Sequence, residues 1–176
     1  MGYATCFIGM ENGSEEALRI MNKGHTVQEV REQLRRLDAA GIRYTCQYII
    51  GMAGKGKGRE SGIATAEFLN SVRAERVMPT GLTVFPGSAL PDMVTNGTFV
   101  EASEKEKIEE LLAFFEHLTV DLFFEAVHYL NPLRFRFQTG DRATKAGVIA
   151  EIREIFATRS EEELERMVNR QQMQSL

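Results

Sequence analysis

A strand-like run leads into "QYIIGMAGKGKGRES", Gln47 to Ser61, where glycines alternate with Lys55 and Lys57. Gly51, Gly56 and Lys57 satisfy the G-x-x-x-x-G-K spacing, in which backbone N–H groups and a lysine cradle a nucleotide's phosphates. That chemistry needs a Ser or Thr hydroxyl next, to hold a magnesium ion, and Gly58 stands there instead. A P-loop-like nucleotide-binding protein is therefore the last of the readings. A solvated glycine–lysine loop is a second. A third is a strand end that must approach a flat ligand closely, which glycine permits because it lacks a Cβ.

Two further glycine-bearing loops carry polar chemistry. In "GMENGS", Glu11 follows a strand-like run directly and Lys23 lies beyond one short helix. A carboxylate there can accept two hydroxyl hydrogen bonds from a ribose diol, and a cation beside it can hold a ligand carboxylate. A turn-forming Glu11 and a solvated Lys23 fit the same pattern. Gln47 points from the second strand, as another ribose contact or as a strand amide bonded to backbone. The third loop, "TVFPGS", is a strand end in which Pro86 fixes the chain direction.

Strand and helix alternate around these loops. "YATCFIG" is a short apolar strand closed by a turn cluster. Ser14 caps a helix through "EEALRIMN", and Thr26 with Glu29 forms a capping box for "VQEVREQLRRLDAA", with Val27, Val30, Leu34 and Leu37 on one face. "IRYTCQYIIG" is the second strand, Glu60 to about Arg76 the third helix, and "VMPTGLTVF" the third strand. Ser103 and Glu106 box the amphipathic helix "EKEKIEELLAFFEHL". "VDLFFEAVHY" reads as a fourth strand, followed by helices in "RATKAGVIAEIREIFA" and "EEELERMVNRQQM". The fold class is α/β, with parallel strands joined by right-handed crossovers. Strands this apolar suit a sheet covered on both faces, and an open three-layer sheet or an arc of a barrel fits the order equally. In either, the three loops share the rim at the strands' carboxyl ends.

The chain's 176 residues, 43% hydrophobic and 26% charged, are those of a globular protein with material for one core. No apolar run spans a bilayer and no secretory signal opens the chain, so a cytoplasmic protein is expected. The net charge of -4 argues against a nucleic-acid backbone as partner. Cys6 and Cys46 are expected as reduced, half-buried strand residues, too few for an all-protein zinc or iron–sulfur site.

Taken together, "IGMENGSEEALRIMNKGHT", "AGIRYTCQYIIGMAGKGKGRE" and "LTVFPGSAL" resemble, in order and spacing, the second half of the catalytic domain of radical S-adenosylmethionine enzymes. The likeness runs from about Phe7 to Leu133. It is nearest to the Fe–S oxidoreductases related to oxygen-independent coproporphyrinogen III oxidase and to the elongator-type proteins. The resemblance implies half of a partial (β/α)6 barrel over residues 1–118, and a C-terminal extension with a strand and two helices over 119–176. It implies S-adenosylmethionine as cofactor, bound to a [4Fe–4S] cluster and reduced to methionine and a 5′-deoxyadenosyl radical that takes a hydrogen atom from substrate. By matching position, Glu11 binds the ribose hydroxyls, Lys23 the methionine carboxylate and Gln47 the ribose. Ile49 and the "IIGMAG" backbone, Gly51 included, line the adenine, with Thr83 closing that side. His128 and Asn131 echo an H-x-x-N pattern found after the barrel.

The family's Cys-x3-Cys-x2-Cys cluster loop is absent, and the opening strand matches the family's fourth. The chain is thus expected to be a C-terminal portion or a cluster-less remnant, with no metal ligands and no catalytic residue of its own. The expected partner is the missing N-terminal half of the barrel or a second copy, and the alternative function is a non-catalytic module that dimerises through its open half-barrel.

Overall fold

The computed structural model describes residues 5–168. Its strands are β1 (Cys6–Glu11), β2 (Tyr44–Ile50), β3 (Arg76–Gly81), β4 (Phe123–Glu125) and β5 (Arg136–Gln138). The helices are α1 (Glu15–Ile20), α2 (Val27–Ala39), α3 (Gly58–Asn70), α4 (Leu90–Thr95), α5 (Glu104–His117), α6 (Arg142–Thr158) and α7 (Glu161–Val168). The strands form one sheet in sequence order, β1 to β4 parallel and β5 antiparallel to β4. A doubly wound sheet reverses its strand order at a switch point, and this one does not. Crossovers of one hand along an unreversed sheet keep the helices on one side, which is the arrangement of a barrel arc.

Burial follows that geometry. On β2, Tyr44, Cys46, Tyr48 and Ile50 are fully buried, while Gln47 and Ile49 on the opposite face are half-buried. The buried set packs with Leu18 of α1, Leu34 of α2, Phe68 of α3 and Phe114 of α5. On the other face Phe7 is 60% exposed. The expectation of a sheet covered on both faces is therefore corrected for the described residues: helices cover one face, and the other carries Gln47, Thr80 and the Arg76–Glu125–Arg136 ion pairs.

The expected caps form. Ser14 accepts from the Ala17 N–H, and Thr26/Glu29 and Ser103/Glu106 close both halves of their capping boxes. Three boundaries differ. α3 ends at Asn70, with Ser71 as its cap, and Arg76 opens β3 instead of closing the helix. β3 stops at Gly81, so Thr83 lies in the loop beyond it. The fourth strand shrinks to Phe123–Glu125, and β5 and the short α4 are additional elements. The part of "EEELERMVNRQQM" beyond Val168 lies outside the described residues.

The helical layer depends on a close contact between α3 and α5. A Cβ on Gly62 would stand 2.2 Å from the Glu110 carbonyl oxygen, and one on Gly58 2.5 Å from that of Glu106. Two backbones this close leave no volume for a methyl group. Gly62→Ala is expected to lower the unfolding free energy in urea by about 2 kcal/mol. Gly147→Ala, in α6 with open space around it, is expected to raise it by about 0.5–1 kcal/mol. A Gly62→Ala protein as stable as the parent would refute the contact.

Candidate functional site

The rim is built where β1 and β2 end. Register along β1/β2 breaks between Gly9 and Glu11, and Glu11 takes a left-handed backbone with φ of 67°. For a residue with a Cβ this conformation costs about 1 kcal/mol. The kink turns the Glu11 carboxylate back over Gly9, where a Cβ would meet Oε1 at 2.5 Å. Glu11 Oε2 accepts a 2.9 Å bond from Lys23 Nζ, and both side chains are less than a third exposed. Glu11 itself pairs with Tyr48, but Gly9, beneath its carboxylate, is the register partner of Gln47. Gln47 donates its Nε2 hydrogen to Thr80 Oγ1 at 2.8 Å.

The structure thus pairs Glu11 with Lys23 and sets Gln47 on the strand beside Gly9, with Ile49, half-buried, on the Gln47 face. Gly51 takes a φ of 81° immediately after β2, the left-handed conformation glycine adopts freely. Thr83 stands apart. Its hydroxyl donates to the Gly81 carbonyl at 3.4 Å and lines a cleft of about 600 Å³ with Lys55, Glu104 and Lys107.

The phosphate-loop reading is overturned. The Gly51 N–H donates to Glu110 Oε2 at 2.8 Å and the Gly56 N–H to Glu106 Oε1 at 2.6 Å. Lys57 Nζ bonds Glu16. The donors a phosphate would need are given to three carboxylates, and a polyanion placed there would face their charge.

Behind the rim lies a buried polar cluster that periodicity alone did not reveal. Glu110 is fully buried and accepts from Tyr48 Oη at 2.5 Å, Ser61 Oγ at 2.7 Å and the Gly51 N–H. Asn12 donates Nδ2 to Ser61 Oγ at 2.9 Å and to the Ile49 carbonyl at 3.4 Å, while its Oδ1 accepts from the Ser14 N–H at 2.8 Å. Thr65 Oγ1 accepts from the Gly13 N–H. A sequence signal existed: Glu110 lies one turn from Lys107 and one from Phe114, on the buried stripe of α5. Asn131, half of the H-x-x-N pattern, has a clear task. It accepts from the Gly81 N–H and donates to the Pro79 carbonyl, both at 3.0 Å, completing the β3 edge beyond the short β4. His128 stacks on Tyr129.

The described residues do not fit an iron–sulfur cluster. Among them no group of three or more His, Cys, Asp or Glu side chains could hold a metal ion. Cys46 lies on the helix-covered face, and burial pushes its thiol up to about 12. The rim does fit a nucleoside bearing a carboxylate: a hydroxyl acceptor over a glycine cradle, with a cation beside it.

Comparison with known proteins bears on the fold. No family model matches the chain. An Elp3 from the archaeon Methanocaldococcus infernus, lacking residues 1–46, superposes with a TM-score of 0.60 and 16% identity over 90% of this chain and 37% of its own. The chain shares its fold with that part of the Elp3 structure. An uncharacterized protein of Methanocaldococcus jannaschii is 26% identical over 112 residues, 64% of this chain and 34% of the relative. The tRNA-2-methylthio-N(6)-dimethylallyladenosine synthase of a Roseiflexus species is 28% identical over 134 residues, 68% of this chain and 28% of the relative. The chain therefore spans about a third of the length of these proteins. Among the described residues no helix is long and apolar enough to cross a membrane.

The buried carboxyl sets a pH dependence. Burial outweighs the hydrogen bonds from Tyr48, Ser61 and Gly51 and raises Glu110 from 4.5 to about 7. The native state then keeps a proton that the unfolded chain has lost. Stability from this group is full below the unfolded value and falls as pH rises through about 7. The loss is on the order of 3 kcal/mol, or roughly 10 °C in melting temperature. Glu110→Gln cannot ionise, so its melting temperature should gain that much on the parent's between about pH 4.5 and about pH 8. A constant gap between the two proteins over that range would contradict the assignment.

Proposed function

We propose that this chain supplies the adenosine and methionine contacts of an S-adenosylmethionine site in a radical S-adenosylmethionine enzyme of the cytoplasm, residues 1–118 forming the barrel segment and 119–176 an extension. The observation that carries this reading is the strained Glu11, folded over Gly9 and paired with Lys23. Strain of this kind persists where the surroundings enforce it, and it concentrates at ligand sites. Glu11 accepts the ribose hydroxyls and Gln47 adds a ribose contact. Lys23 exchanges its bond with Glu11 for one with the methionine carboxylate. Ile49 and the Gly51 backbone line the adenine, and Thr83 closes the far side. The cluster that would anchor the cofactor and make it reactive has its ligands outside the described residues. The chain's own contribution is to bind, orient and exclude water, and alone it is inactive.

S-Adenosylhomocysteine, which keeps the nucleoside and the carboxylate, is the direct probe. Lys23→Met should weaken its binding about tenfold and leave adenosine binding unchanged, because only the former carries the carboxylate. Glu11→Gln should weaken both. Absence of binding to either compound by calorimetry, or equal losses for both in Lys23→Met, would sink the proposal.

The exposed Phe7 favours a second reading, an association module. It lies on β1, whose outer edge has no strand partner among the described residues, and such edges invite pairing with another chain. A second copy or a complementary half-barrel would cover it. Sedimentation velocity should show a concentration-dependent dimer that Phe7→Asp abolishes, and a monomer at all concentrations would remove this reading.

A further inference from the structure

Glu110 sits on α5, behind the sheet, yet its carboxyl reaches the ends of the strands that form the rim. Its two oxygens divide the work. Oε2 takes the Gly51 N–H, and Oε1 takes the hydroxyls of Tyr48 and Ser61. When the carboxyl is ionised both oxygens only accept, so all three donors point inward in a single arrangement. Ser61 then receives Asn12 Nδ2 at 2.9 Å, and Asn12 keeps its Oδ1 for the Ser14 N–H.

A neutral carboxyl cannot hold that pattern. Its proton belongs on Oε1, since a backbone N–H faces Oε2, and it must be donated to Ser61 or to Tyr48. The hydroxyl that receives it turns its own hydrogen elsewhere. For Ser61 the next acceptor is Asn12 Oδ1 at 3.2 Å, already engaged by Ser14. Two arrangements then compete at the point where Asn12 holds the Ile49 carbonyl and the cap of α1.

We propose that Glu110 is a positioning residue for the nucleoside end of the rim, its ionised form locking the β1 and β2 ends through Ser61, Asn12 and the Gly51 N–H. The proposal rests on the S-adenosylmethionine reading of that rim. A rim fixed in one arrangement spends less of its binding energy on ordering, so the ionised form binds a nucleoside more tightly. The titratable groups that bear on Glu110 are Tyr48 on β2 and Lys107 on its own helix. Lys107 is held by Glu104 and faces Glu101, Glu161 and Glu165. From α3 and the β1–α1 loop the group meets hydroxyls and an amide. Burial places the proton change near neutrality, at about 7.

The test uses the full chain and two readouts. The first is the Gly51 amide resonance in nitrogen–proton correlation spectra, without ligand. It should titrate with a midpoint near 7 in the parent and stay fixed in Glu110→Gln, whose side-chain NH2 holds the neutral pattern at every pH. The second is adenosine, whose base stays neutral in this range. Its affinity for the parent should rise about fivefold from about pH 5.5 to about pH 8.5 with the same midpoint, and be flat for Glu110→Gln. A Gly51 resonance that does not titrate, or titrates alike in both proteins, overturns the proton coupling whether or not adenosine binds. A titrating Gly51 with adenosine affinity independent of pH overturns the positioning role. A titrating Gly51 with no adenosine binding at any pH overturns the nucleoside reading of the rim, and the role of Glu110 with it.

Discussion

The structure depends on one residue that is both a spacer and a clasp. The Glu110 backbone carbonyl lies against Gly62, so α3 and α5 approach to backbone contact. Its side chain leaves that contact and reaches the end of β2, where Tyr48, Ser61 and Gly51 all donate to it. The helix layer and the rim are thereby fixed to each other through a single buried carboxyl. A buried carboxyl without partners is costly, and this one is made tolerable by three donors when ionised and by its proton when neutral. The same arrangement orients the peptide after β2 and, through Asn12, the loop after β1. Neither loop can shift far without leaving a buried polar group unpaired.

That constraint also explains the glycine–lysine loop. In a phosphate loop the successive N–H groups converge on an anion and a lysine completes the cradle. Here Gly51 and Gly56 give their N–H groups to Glu110 and Glu106, and Lys57 goes to Glu16. The glycines answer to packing and turn geometry. A rim furnished with carboxylates is poor for a triphosphate.

Much of this was legible in the chain. Helix starts declared themselves because Ser14, Thr26 and Ser103 answer local needs of the first helical turn, which require no knowledge of the fold. The loops were placed on one rim because alternating strands and helices leave little freedom in the crossovers. Helix and strand ends beyond those caps were harder. "SVRAER" after α3 carries no glycine or proline stop; the helix ends where the Ser71 hydroxyl bonds the Phe68 carbonyl, a local contact, and Arg31 reaches the Ser71 hydroxyl, a tertiary one. Thr80 as the partner of Gln47, and Asn131 as the stand-in for a longer β4, depend on strand register, which one chain's pattern does not specify. The apolar strands pointed to a sheet covered twice. What they could not show is that Thr45, Gln47 and Thr80 fall on one face while Tyr44, Tyr48 and Ile50 fall on the other.

The open face itself bears on how the rim is used. If it were meant to receive a second apolar layer, its polar groups would need partners from that layer. Instead they satisfy each other across strands: Gln47 with Thr80, and Glu125 between Arg76 and Arg136 at 2.6 and 3.0 Å. Arg76 also lies over the Phe123 ring. Pairs that are complete within the sheet keep their bonds whether water or a ligand stands above them, and they resist burial against hydrocarbon because of the desolvation involved. Phe7, at the outer strand, is the contrary feature, an apolar group with no such pairing. The face is thus graded. Its β1 edge carries an exposed apolar ring, and its β3–β5 side carries polar and charged groups already paired with one another.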